Sequence, residues 1–139
     1  MRPTIGRAIA GGLAGTILFS LMMKFIAPMM LGHAMDIPAM IAHMLGVPEI
    51  VGMAMHLGLG IVVFPATYTF AFTFLKGPPF TRGMEFAFGL FIVAESVIMP
   101  MAGNGFWSAD IGGAKAVMAA FVGHMVYGAL LGGVAGKGE

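Results

Sequence analysis

Four side chains have chemistry out of keeping with their surroundings: Lys24, His56, Glu95 and His124 each stand inside a long apolar run. An ammonium, a carboxyl and two imidazoles can form an ion pair, pass protons or ligate a metal. A Lys24–Glu95 pair would offset the desolvation of both groups. His56 and His124 are the natural axial pair for a haem b. With Glu95 they also make a two-histidine, one-carboxylate metal set. A third use of the four is a proton path or small transporter running through Lys24 and Glu95. The plainest alternative is structural, with buried polar groups fixing the register of neighbouring helices.

A second group lies at one end of these runs. His33, Met35, Asp36 and His43 fall in or beside a single connecting segment, amid many of the 15 methionines. Imidazole together with thioether sulfur suits copper, above all Cu(I). No tight M-x-x-M or H-x-H ligand pattern accompanies them, and methionine is also a common packing residue. There is no cysteine, which excludes disulfides, thiolate metal sites and covalent c-type haem. No nucleophile triad, phosphate loop or dinucleotide fingerprint occurs. With a net charge of +1 and no basic run, nothing suggests a nucleic-acid partner.

The elements that must position these groups follow from composition. The chain is 59% hydrophobic and 9% charged, against about 25% charged in soluble domains, so it lacks the polar residues to cover a water-facing surface. An all-α, polytopic four-helix membrane bundle is expected, as a single domain over residues 1–139. The spans read as roughly 5–31, 48–75, 82–101 and 111–135, each near the ~20 residues that cross a bilayer. Gly and Pro punctuate the breaks, and a short interfacial helix is expected over about 38–45. Pro48 suits the start of the second span, and Ser108 or Asp110 a cap for the fourth.

Arg2, Arg7, Lys76, Arg82 and Lys137 gather on the side of the termini, so the positive-inside rule places both termini in the cytoplasm of a prokaryotic inner membrane. At 1.5 Å per residue, Lys24, His56, Glu95 and His124 then lie roughly 9–13 Å below the outer boundary, one from each helix in a single polar layer. Thr16, Ser20 and Lys24 recur every four residues as a polar stripe. Gly11 and Gly15 form a G-x3-G surface for another helix or subunit, and Gly60 and Gly128 are further packing positions. A weak internal symmetry pairs Pro28 with Pro100, and Gly52–His56–Gly60 with Ala120–His124–Gly128. That pattern is what a parallel repeat of two helical hairpins would leave.

The last helix reads "HMVYGALLG" from His124 to Gly132, an H-x-x-Y-G-x-x-L-G pattern, and "MPMAGNGF" ends the helix before it. In these stretches the second half of the chain resembles a group of uncharacterised prokaryotic four-helix inner-membrane proteins. The resemblance implies the four-helix topology and draws attention to His124, and it carries no activity. From the residues, the expected role is an integral accessory subunit of a larger membrane complex, a respiratory or other metal-containing oxidoreductase assembly, acting in packing or assembly rather than catalysis. Its partners would be the bilayer and other membrane subunits. The alternatives are an electron-transfer protein holding haem b or copper, and the small transporter.

Overall fold

A computed structural model describes residues 1–138, and they form helices and turns without a strand. Four helices are long and apolar enough to cross a membrane: α1 (Ile5–Leu31), α3 (Glu49–Ala71), α4 (Pro79–Met101) and α5 (Ala114–Ala135). Between the first two lies the short α2 (Ile37–Leu45), and a single 3-10 turn (Phe106–Ser108) precedes α5. The chain is a multi-pass membrane protein.

The ends of these helices follow local chemistry. Thr4 caps α1 by accepting the Arg7 N–H at 3.4 Å. Asp36 caps α2 by accepting the Ala39 N–H at 3.0 Å, and Gly46 closes that helix in the left-handed conformation glycine permits. Pro48 stands just outside α3, whose first residue is Glu49. α4 starts at Pro79, ahead of Arg82, because proline needs no N–H partner in a first helical turn. Neither Ser108 nor Asp110 caps α5. Gly113 occupies that position without a side-chain bond, and Ser108 is used elsewhere.

α5 is the centre of the bundle. Its buried face is made of small residues, among them Ala116, Ala120, Gly123, Gly128 and Gly132, and it packs closely on both α1 and α4. A Cβ at Gly11 would sit 2.6 Å from the Leu131 carbonyl oxygen, and one at Gly15 would sit 2.7 Å from the Tyr127 ring. On the other flank Gly83 and Gly128 meet backbone to backbone. The glycine surfaces of the sequence are thus used within the chain: Gly11 and Gly15 on α5, Gly60 on Thr16 of α1, and Gly128 on α4.

α3 joins from the far side of α1, and α2 lies on α3. The order around the bundle is therefore α4–α5–α1–α3. The remaining seam, between α3 and α4, barely closes. The two helices are fastened near their short connection, where the Tyr68 hydroxyl donates to the Pro79 carbonyl at 3.3 Å. There the Arg82 guanidinium also donates to the Phe72 carbonyl at 2.8 Å and lies over the Phe72 ring, 4.4 Å from its centroid.

Three of the four long helices contain one widened turn: Met22–Ile26, Leu59–Val63 and Ala94–Ile98. Each is followed by a proline, Pro28, Pro65 or Pro100. Proline lacks an N–H and crowds the carbonyl four residues back, so the chain widens a turn instead of breaking. The N–H of the residue before each proline reaches back five residues, as Phe64 does to Leu59. The next carbonyl loses its partner. The Met23 carbonyl accepts the Met35 N–H at 3.2 Å instead, which ties down the α1–α2 connection. The Gly60 carbonyl accepts the Tyr127 hydroxyl at 2.7 Å, which ties α3 to α5.

Candidate functional site

Two of the four ionisable groups, Lys24 and Glu95, stand on widened turns. In α1 the buried face runs through Thr16, Met23 and Ala27. Lys24 stands one residue past that face and is exposed, with its Nζ 5.6 Å from the Phe25 ring centroid. It makes no ion pair with Glu95, and no ion pair involves either residue among the described residues. The expected layer of four groups is therefore incomplete: the lysine is on the outside of the bundle, where a long side chain can carry its charge along the apolar surface toward water.

Glu95 is fully buried, and its partner is a hydroxyl. Ser108 Oγ donates to Oε2 at 2.7 Å, while Oε1 has no hydrogen-bond partner. To reach it, the loop after α4 turns through two non-glycine residues with positive φ, Trp107 at 53° and Ser108 at 54°. That conformation is uncommon outside glycine and costs local strain. It is held by the Ser108 carbonyl, which accepts the N–H groups of Ile111 at 3.2 Å and Gly113 at 2.9 Å. The Trp107 ring meets Phe91 edge-on at 5.7 Å.

The two histidines do come together, on one cavity of about 350 Å³ in the open α3–α4 seam. Thr16 and Phe19 come from α1, His56 and Gly60 from α3, Leu90 and Ala94 from α4, and His124 and Tyr127 from α5. Met40 and Met44 of α2 close the end away from the termini. The lining is apolar apart from a few groups. His56 Nε2 shares a hydrogen bond with Ser20 Oγ at 2.9 Å. His124 Nδ1 donates to the Ala120 carbonyl at 2.7 Å, which leaves Nε2 as the unprotonated nitrogen of a neutral ring. The Thr16 hydroxyl is buried without a partner.

This geometry bears on the cofactor expectations. The Phe19 ring packs on both imidazoles, with centroids 6.4 Å from His56 and 5.3 Å from His124. A macrocycle ligated by both histidines would have to take the place that Phe19 fills. The four residues of the expected copper set, His33, Met35, Asp36 and His43, all line a second pocket of about 210 Å³, though several are engaged elsewhere. Met35 is buried in a small apolar cluster with Met23, Ala27 and Ala119. Both ring nitrogens of His33 lie against backbone carbonyls, at 3.2 Å from Ala34 and 3.0 Å from Ile111. Asp36 Oδ1 is spent on its cap. Among the described residues no three His, Asp or Glu side chains gather as a metal site.

Comparison with known proteins adds one fact. A family model described as a family of unknown function (DUF6789) matches residues 3–138. The chain belongs to this family. No curated protein and no solved structure matches it. The DUF6789 match spans every element of the bundle, including both walls of the α3–α4 seam and the helix that closes it.

Residue types alone pointed to His56 and His124. They did not point to Tyr127, Pro65 or the seam. Tyr127 hydroxyl and the Gly60 carbonyl freed by Pro65 form one wall of the cavity, and a mid-span proline in "GIVVFPATY" was the available signal.

Proposed function

We propose that this protein binds a small lipid-soluble molecule, taken from the bilayer through the α3–α4 seam and carrying a hydroxyl or phenol on an apolar body. The observation that carries the reading is the cavity itself: about 350 Å³, apolar, in the α3–α4 seam, with the His56 and His124 rings on its wall. Its volume lies in the range of small-molecule pockets and is too small for a further helix, which is about 10 Å across. His124 Nε2 can accept a hydrogen bond from a hydroxyl. An unbranched alkane would leave this nitrogen unpaired, which costs roughly 1–3 kcal/mol for a buried group.

The test is photocrosslinking with a diazirine-bearing long-chain alcohol in detergent-solubilised protein, mapped by peptide mass spectrometry. Labelling is expected to concentrate on the residues of the seam and to fall roughly tenfold in Ala94→Phe, which fills the cavity, a loss of about 1.4 kcal/mol of binding. His124→Phe should erase the preference for the alcohol over the matching alkane. Labelling spread evenly over the lipid-facing helices and unchanged by Ala94→Phe would refute the reading.

A second reading has its own support. Only 17% of the apolar window of α3 is buried within the chain, the smallest share of the four, so this helix offers the most surface to a neighbour. That favours an integral accessory subunit of a larger membrane complex, an oxidoreductase assembly included. Native electrophoresis after gentle extraction tests it, and recovery of this chain alone would count against it.

A further inference from the structure

A second pocket, about 210 Å³, lies beyond α2 and shares Met40 and Met99 with the seam cavity. It differs in kind, because two of its three methionines, Met40 and Met99, have their sulfur atoms in a polar contact. Asn104 Nδ2 donates to Met40 Sδ at 3.3 Å and to Met99 Sδ at 3.6 Å, so two thioethers from different elements converge on one point. His43 lines the same pocket and lies three residues after Met40 on α2, where side chains share a face.

We infer that Met40, Met99 and His43 form a binding site for a soft monovalent metal ion, Cu(I) or its redox-inert counterpart Ag(I). The donor set decides the ion. Two thioethers and one imidazole nitrogen are soft, uncharged donors, which suits a soft monovalent ion. Of the harder donors nearby, Asp36 Oδ1 accepts the Ala39 N–H and the His33 ring lies between two carbonyls. Unbranched methionine side chains can close on an ion without moving the backbone, with Asn104 swinging aside as it enters. Cysteine is absent, so no thiolate elsewhere in the chain competes for the ion.

The experiment is Ag(I) titration of the full chain in detergent, followed by native mass spectrometry and isothermal calorimetry. One tightly held equivalent is expected. The double variant Met40→Leu/Met99→Leu, which conserves side-chain volume, should weaken binding roughly 100-fold or more, and His43→Ala roughly tenfold. The pair Met29→Leu/Met101→Leu removes two exposed methionines, 81% and 65% accessible, and should leave affinity unchanged. Equal losses in the two methionine pairs would mean nonspecific thioether binding and overturn the site. So would Zn²⁺ binding more tightly than Ag(I), or no tight equivalent at all. Far-UV circular dichroism of each variant establishes that it is folded. The outcome is independent of the lipid-binding reading, which Ala94→Phe tests on its own.

Discussion

The two ends of the bundle are built from the same helices on opposite principles. Toward the termini, glycines let backbones touch. Gly83 meets Gly128, a Cβ at Gly132 would run into the Pro79 carbonyl, and Tyr68 and Arg82 staple α3 to α4. Toward the other end α1 and α4 widen ahead of Pro28 and Pro100, and a third widened turn lies midway along α3. At that end α3 and α4 part, and two pockets open. Lipid is as apolar as leucine, so helices in a membrane gain little from burying oil against oil. They associate where backbones approach closely or where polar groups bond. Between α4 and α5 glycine supplies close approach and the pair is shut, whereas beside the α3–α4 seam the Gly60 carbonyl freed by Pro65 is held by a single hydrogen bond from Tyr127.

The largest expected effect is therefore at the glycine end. Gly83→Val places a Cβ against the Gly128 carbonyl and the Gly132 backbone, and backbone cannot yield as a flexible side chain can. A loss of at least about 3 kcal/mol, or failure to recover folded protein, is expected in an SDS-titration unfolding assay. Gly89→Ala, also in α4 but with nothing within 4 Å of its new Cβ, is the control. It should be neutral or slightly stabilising, since alanine is the better helix former. Equal effects at both glycines would mean that the contrast between the two ends is not one of backbone approach.

The next effect belongs to the open end, where Ser108 bonds the loop to Glu95 of α4. Ser108→Ala removes the only hydrogen-bond partner of the Glu95 carboxyl among the described residues and keeps the backbone. The expected cost is roughly 1–3 kcal/mol, the penalty for leaving a buried polar group unsatisfied. The same change in Glu95→Leu should cost much less, because nothing polar is then left behind. A double-mutant cycle in the same unfolding assay measures the coupling, and a value near zero would mean that the strained Trp107–Ser108 turn is held by something other than Glu95.

How much of this was legible in the sequence depended on which kind of signal a residue gave. The four apolar helices were readable because a bilayer demands about 20 apolar residues whatever else the protein does. His56 and His124 were found on one cavity, as depth along the helices suggested, because both face the interior on nearly regular turns. Which way Lys24 faces was not readable from depth. Height along a helix is counted in residues, but the direction of a side chain depends on rotation, and the widened turn at Met22–Ile26 falls on that stretch. The partner of Glu95 was hidden for a different reason. Ser108 reaches it only through two left-handed residues that no pattern of residue types announces. The glycines were recognised as contact positions, yet a G-x3-G spacing does not say whether the facing helix belongs to the same chain.

Lys24 gives the smallest expected effect and the sharpest test of that account. Had it paired with Glu95 in the interior, removing one charge would leave the other stranded and cost roughly 3–5 kcal/mol. In the structure its side chain is exposed beside Phe25, while Glu95 is closed off behind Ser108. Lys24→Met should then change stability by no more than about 0.5 kcal/mol, as substitutions at exposed positions do. Combined with Glu95→Gln it should be additive within about 0.5 kcal/mol, since the two sites share no partner. A coupling well above that value would put the lysine back inside the bundle, and with it the ion pair across the open end. Additivity would leave Glu95 held by a single serine, so that the open end owes its shape to hydrogen bonds and strain rather than to charge.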